Sequence, residues 1–128
     1  DIQISDRDGF LLMLTDSKKY TNHLETVHAS ALFALAEASA GQFLLSNFPK
    51  SEMNITPVVR QVNVKYKKPA IGHVYSRVTM VNNVVEHVMT ELKSRGRVQL
   101  TVKVELFDSN QILVFTGDFE WFVAVNPS

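Results

Sequence analysis

The chain has 128 residues, which suits one domain with a single core, so residues 1–128 are treated as one domain. Its 13 basic and 13 acidic residues cancel to a formal net charge of zero, which argues against a nucleic-acid partner held by bulk electrostatics. The absence of cysteine excludes disulfides, thiolate chemistry and cysteine-based metal sites. We expect no signal peptide, no membrane partner, no metal site and a reducing, cytoplasmic setting.

The first elements are predicted to be two short strands and a polar loop. Residues 2–5 and 10–15 flank an Asp-Gly pair, which is a strong turn signal between apolar runs. Residues 16–25 are rich in Asn, Ser, Thr and Lys, and this composition favours a loop.

Residues 26–49 form the longest apolar run of the chain, and Glu37 is the only charged residue in it. The run predicts a helix about 30 Å long, with Thr26 as its N-cap and Pro49 marking its end. Because the helix is apolar nearly all round, we expect it to be buried on most sides. Its Ala and Ser content and its central carboxylate disfavour a membrane span.

Glu37 needs an explanation, because a carboxylate in an apolar helix is usually paired or used. Ser30, Ala34 and Gly41 are small and share its side of the helix, so a strand or a ligand could approach closely there. The alternative is that Glu37 faces solvent or pairs with a lysine elsewhere.

The second half of the chain is mostly strand. Residues 55–66 and 97–107 alternate apolar and polar side chains, as half-buried strands do. Residues 73–80 and 112–123 are predicted strands as well, with breakers at 67–72 and a hairpin turn at 108–111. Residues 82–95 place valines, Met89 and Leu92 on one helical face, with Asn82 or Asn83 as the N-cap and Gly96 at the end. A continuous strand is the competing prediction for this segment.

These elements predict an α+β domain in which an antiparallel sheet wraps one long central helix. A sheet of this kind needs one face covered, and the helix at 26–49 is the only element large enough. The segment at 82–95 is then an extra short helix.

One group of residues suggests chemistry. Asn22, His28 and Glu37 accompany the free amides of Ala29 and Ser30, which the helix N-terminus offers to developing negative charge. A carboxylate further along the helix suits hydrolysis of an activated acyl group. Glu37 lies roughly 13 Å along the axis from the first turn, so a partner subunit has to complete the site.

The segment 22–37, N-H-L-E-T-V-H-A-S-A-L-F-A-L-A-E, resembles the N-x-x-G-T-V-H-G-G-x-L-x-A-L-A-[DE] signature of hotdog-fold acyl-CoA thioesterases. It is most similar to the group that includes the phenylacetate-pathway enzymes. The segment 62–72, V-N-V-K-Y-K-K-P-A-I-G, is similar to that family's central strand. The resemblance covers nearly the whole chain.

The resemblance implies a homodimer, or a tetramer, in which two sheets join edge to edge and hydrolyse an acyl-CoA thioester at the interface. By position, Glu37 would be the nucleophile or general base, and the amide of Ala29 would polarise the thioester carbonyl. Asn22 and His28 would orient substrate or water. Coenzyme A enters as part of the substrate, and no other cofactor is expected.

The chain departs from the family pattern in three ways. Ala29-Ser30 replaces Gly-Gly, Glu25 replaces Gly, and Val59 appears near the position where some members have a Ser or Thr that helps to position water. The added helix at 82–95 is typical of an uncharacterised branch. We expect Ser30 and Val59 to line the substrate site.

The basic residues Lys65, Lys67 and Lys68 suit the phosphates of coenzyme A, although a solvated strand end explains them equally well. Two other functions stay open at this stage. Hotdog folds also serve as non-catalytic modules that bind acyl-CoA or acyl-carrier protein, and some members dehydrate hydroxyacyl thioesters. The fold alone does not separate them.

Overall fold

The computed structural model describes residues 1–16, 18–48, 54–81 and 84–126. Within them one six-stranded antiparallel sheet has the strand order β1-β2-β4-β5-β6-β3. Its strands and the two α-helices, in chain order, are β1 (Ile2–Ile4), β2 (Leu12–Leu14), α1 (Ala29–Asn47), β3 (Ile55–Tyr66), β4 (Val74–Val81), α2 (Val85–Arg95), β5 (Arg97–Asp108) and β6 (Leu113–Val125). The predicted α+β architecture is confirmed, and the 16–25 loop contains one 3-10 turn, Lys18–Tyr20.

The long helix begins two residues later than predicted. Its N-cap is His28, not Thr26, because the Thr26 hydroxyl and amide both donate to the side-chain oxygen of Asn22. The helix ends at Asn47 with Phe48 as C-cap, while Pro49 lies outside the described residues.

The helix α1 is buried on one face only, so the expectation of burial on most sides was wrong for the single chain. The buried side packs on the sheet through Leu32, Leu35, Ala36, Ser39, Ala40 and Leu44. The opposite side exposes Ser30, Ala34 and Glu37. By length and composition alone α1 could cross a membrane, but here its buried face belongs to the core of a sheet domain.

The helix α2 forms where the sequence predicts it, although its N-cap is Val84 rather than an asparagine. Asn82 and Asn83 lie outside the described residues. Val88 and Leu92 bury themselves against the core, and Gly96 ends the helix at φ 74° with its amide bonded to the Leu92 carbonyl. The helix therefore extends the cover over the sheet at the start of β5.

The two edges of the sheet differ in length. Among the described residues, the strand β1 has three residues and pairs only with β2, whereas β3 has twelve and pairs only with β6. The inner side of β3 carries Val62 and Val64, as the alternation predicts, and also Val59, which the alternation does not predict; all three are half-buried. A bulge at Arg60 interrupts its pairing with β6.

Candidate functional site at the start of the long helix

A cleft of about 380 Å³ opens beside the first turn of α1. One wall comes from the loop that precedes the helix, and the other comes from the end of β3 and the segment after it. Ten residues line it: Asn22, Thr26, Val27, Ala29, Leu32, Tyr66, Lys67, Lys68, Pro69 and Ala70. Four of the nine residues predicted for the site, Asn22, Ala29, Lys67 and Lys68, are therefore brought together.

The first-turn amides of α1 are available for a ligand. The carbonyl of His28 accepts hydrogen bonds from the amides of Ala31 (3.0 Å) and Leu32 (3.1 Å). The amides of Ala29 and Ser30 make no hydrogen bond to any described residue, and the His28 side chain does not cap them. With the helix dipole behind them, these N–H groups favour an oxyanion at this end of the cleft.

Asn22 holds the loop that shapes one wall. Its side-chain oxygen accepts hydrogen bonds from the Leu24 amide (2.9 Å), the Thr26 amide (3.2 Å) and the Thr26 hydroxyl (3.1 Å). The turn that results places Glu25 at φ 62°, in the left-handed region. This conformation explains why the resembling signature has glycine there, since only glycine adopts it without steric cost.

The basic residues divide between two surfaces. Lys67 and Lys68 line the cleft, and their amides both bond to the Val114 carbonyl, which fixes the chain as it leaves β3. Lys65 points to the outer side of the sheet, next to Asn63 and Lys103, and Lys67 borders this second surface as well. All three lysines are exposed, and within the described residues none forms an ion pair.

Tyr66 was not among the residues predicted for the site. Its ring packs edge-on against Phe115, with centroids 5.2 Å apart, and its hydroxyl lies 3.4 Å from the Ala29 carbonyl. The side chain is nevertheless 49% exposed. A tyrosine that ends the central strand on its inner side was the available signal, but nothing in the sequence places it beside Ala29.

The remaining predicted residues lie outside the cleft. Glu37 is exposed on α1, about 12 Å along the helix axis from Ala29. His28 and Ser30 are exposed at the helix start, and Val59 is half-buried on β3 next to the bulge. Within one chain, the carboxylate and the free amides do not meet. Among the described residues no group of three or more His, Asp or Glu residues is placed to hold a metal ion.

The architecture matches solved structures of low sequence identity. A Pseudomonas aeruginosa protein described as a probable thioesterase is 22% identical, with a TM-score of 0.79 over 92% of this chain and 78% of that one. A Bacillus halodurans protein solved with CoA is 18% identical, with a TM-score of 0.69 over 88% and 69%. A thioesterase enzyme from Staphylococcus aureus, solved as a mutant, is 14% identical, with a TM-score of 0.70 over 98% and 93%.

A single antiparallel sheet around one long helix, shared with these structures, makes this a hotdog-fold protein. Residues 6–123 match a family described as a domain of unknown function, DUF4442, and the chain belongs to that family. No functionally curated protein matches the sequence.

Proposed function

We propose that this protein is an acyl-CoA thioesterase, active in the cytoplasm as a homodimer whose site combines residues of two subunits. One observation carries the proposal: unpartnered amides at the start of α1 open into a cleft that two lysines also line. Thioesterases and a CoA-bound protein among the structural neighbours support this choice of substrate.

The exposed side of α1 and the free edge of β3 support the homodimer. An edge strand of twelve residues leaves a row of backbone donors and acceptors that a second copy can pair. In a two-fold symmetric dimer both subunits use the same surface, so each contact between two different residues occurs twice. The carboxylate of Glu37 would then face the amides of Ala29 and Ser30 in the other subunit, which removes the 12 Å separation within one chain.

The reaction follows from these groups. The thioester carbonyl oxygen accepts a hydrogen bond from the Ala29 amide, which stabilises the negative charge that develops on it. The carboxylate of the partner subunit's Glu37 takes a proton from a water molecule as the water oxygen bonds to the carbonyl carbon. The tetrahedral intermediate breaks its carbon–sulfur bond, the proton passes to the CoA sulfur, and a free acid and CoA leave.

The test is hydrolysis of a panel of acyl-CoAs, followed by the release of free thiol. Glu37→Gln keeps the shape of the side chain and removes the base, so we expect kcat to fall about 100-fold or more. The matched control is Glu86→Gln, an exposed carboxylate on α2, which should leave kcat unchanged.

Two outcomes would each reject one part of this proposal. If Glu37→Gln hydrolysed acyl-CoAs as fast as the wild type, the carboxylate would have no catalytic role, although the protein would still be a thioesterase. If acyl-CoA raised the melting temperature without turnover, the protein would be a binding module for acyl-CoA or acyl-carrier protein.

A further inference from the structure

The helix α1 and the edge strand β3 run in opposite directions, and one contact to β3 and two approaches to its neighbour β6 relate their positions. The Tyr66 hydroxyl lies 3.4 Å from the Ala29 carbonyl at one end. The rings of Phe33 and Phe119 are 5.8 Å apart, and Phe119 pairs with Val62 across the sheet.

The second approach to β6 lies further along the helix. A Cβ atom on Gly41 would lie 3.9 Å from the Trp121 ring, and Trp121 pairs with Val59. The helix from Ala29 to Gly41 is therefore level with the strand from Tyr66 back to Val59, and both spans are about 20 Å long.

If the proposed function is right, this alignment determines the position of a symmetric partner subunit. If Ala29 of each subunit faces Glu37 of the other, the two-fold axis passes level with the residue midway between them, which is Phe33. Two estimates give the strand residue that is level with Phe33. Phe33 contacts Phe119, which pairs with Val62, so the first estimate is Val62. Phe33 lies about 6 Å along the axis from Ala29, which corresponds to about two strand residues before Tyr66, so the second estimate is Val64. The midpoint of these two positions is Asn63.

We propose that two β3 edges pair antiparallel about Asn63, and that this register makes Tyr66 a substrate-positioning residue of the composite site. With Asn63 at the axis, Tyr66 lies opposite Arg60 of the partner subunit. The partner's Glu37 lies on the helix flank above the stretch between Val59 and Val62. The Tyr66 ring then stands between the free amides of its own subunit and the carboxylate of the other.

The exposure of Tyr66 agrees with this role. Half of its surface is open in the single chain, although the residue lies on the inner side of the sheet and ends an apolar row. A thioester that reaches the Ala29 amide through the cleft must pass this ring, because both residues line the same opening. The ring is a wall for the substrate, and its hydroxyl is held beside the first turn of α1.

The register can be tested without any assay of activity, because the natural chain has no cysteine. Only a residue at the axis lies next to its own copy, so Asn63→Cys should form disulfide-linked dimers on oxidation. Val58→Cys is the control on the same strand, since its two copies would be about 33 Å apart in this register. Efficient cross-linking through Val58→Cys, or none through Asn63→Cys, would overturn the register.

The role of Tyr66 is tested by affinity for CoA itself and by the kinetics of acyl-CoA hydrolysis. Tyr66→Ala should raise the Kd of CoA and the KM of acyl-CoA about tenfold, while kcat changes little, because a wall of the site has been lost. Tyr66→Phe keeps the ring and should restore both constants to within about twofold. Val58→Ala, which alters a side chain of equal exposure on β3, is the matched control.

The results separate this inference from the proposed function. If Tyr66→Ala kept wild-type Kd and KM while Glu37→Gln lost activity, the positioning role would be wrong and the thioesterase assignment would stand. If the wild type bound CoA without hydrolysis and Tyr66→Ala weakened that binding, the positioning role would stand and the enzyme assignment would fail.

Discussion

The two sides of α1 have similar composition and opposite environments. Leu44 is fully buried against the sheet, while its neighbour Leu45 is 47% exposed. Apolar or small residues therefore do not by themselves indicate which side of a helix a single chain covers. The exposed side of α1 consists mostly of Ala and Ser with a single leucine, and such a side, next to a free strand edge, suits a surface between two copies of a chain.

The largest expected effect on the free energy of unfolding is the difference between substitutions of Leu44 and Leu45. Leu44→Ala should lower the free energy of unfolding by about 2–5 kcal/mol, because it leaves a cavity under the helix. Leu45→Ala removes an exposed side chain and should cost under about 1 kcal/mol. Urea unfolding of both variants measures the difference, and equal losses would contradict the assignment of the two sides.

A smaller effect is expected where α1 meets the sheet through hydroxyl groups. Ser39 and Ser76 are buried with their hydroxyl oxygens 2.6 Å apart, and Ser76 accepts a hydrogen bond from the Leu12 amide (3.1 Å). In Ser76→Ala the Ser39 hydroxyl keeps its hydrogen bond to the Leu35 carbonyl, but the buried Leu12 amide loses its side-chain acceptor, so the substitution should cost about 1–3 kcal/mol of unfolding free energy. Thr79→Ala, exposed on the same strand, is the control, and an equal change in both variants would deny a special role for the buried pair.

One substitution in the loop that precedes α1 is expected to stabilise the folded chain. Glu25 adopts φ 62°, and glycine removes the steric cost, so Glu25→Gly should raise the free energy of unfolding by about 1 kcal/mol. In contrast, Glu86→Gly in the helix α2 should lower it by about 1 kcal/mol. Thermal melts of the pair give opposite signs if the left-handed turn persists in solution.

The smallest effect on the stability of the chain is expected on the exposed side of α1. Ala34→Lys should change the free energy of unfolding of the monomer by less than about 0.5 kcal/mol. It should weaken dimer formation at least tenfold, because it places two charges in the proposed contact. Sedimentation measures the dimer dissociation constant, and Thr90→Lys, at an exposed position of α2, is the control. If both variants dimerised as the wild type does, α1 would not be part of the interface.

The sequence predicts most of the fold because half-buried strands alternate. The alternation over residues 55–66 and 97–107 agrees with β3 and β5, and Gly96 ends α2 as expected. Helix starts were less accurate. Thr26 has the chemistry of an N-cap, but Asn22 engages its side chain instead, and this competition depends on the folded loop.

Only part of the site was predicted, because the rest depends on contacts that form only in the folded protein. Asn22, Ala29, Lys67 and Lys68 belong to two segments, and the cleft brings both together. Tyr66 was missed because its importance comes from closeness to Ala29, which is 37 residues away in sequence. The relation between Glu37 and the free amides depends on a second subunit, which no single sequence displays.

The contact between Ser39 and Ser76 has a consequence for the direction in which Glu37 points. An α-helix turns by about 100° per residue, so sliding α1 by one position would rotate every side chain by that angle. Apolar packing tolerates small sliding better than a short hydrogen bond between two hydroxyl groups does. The hydrogen bond between the buried serines thereby fixes the rotation of α1 about its axis and keeps Glu37 on the exposed side of the helix.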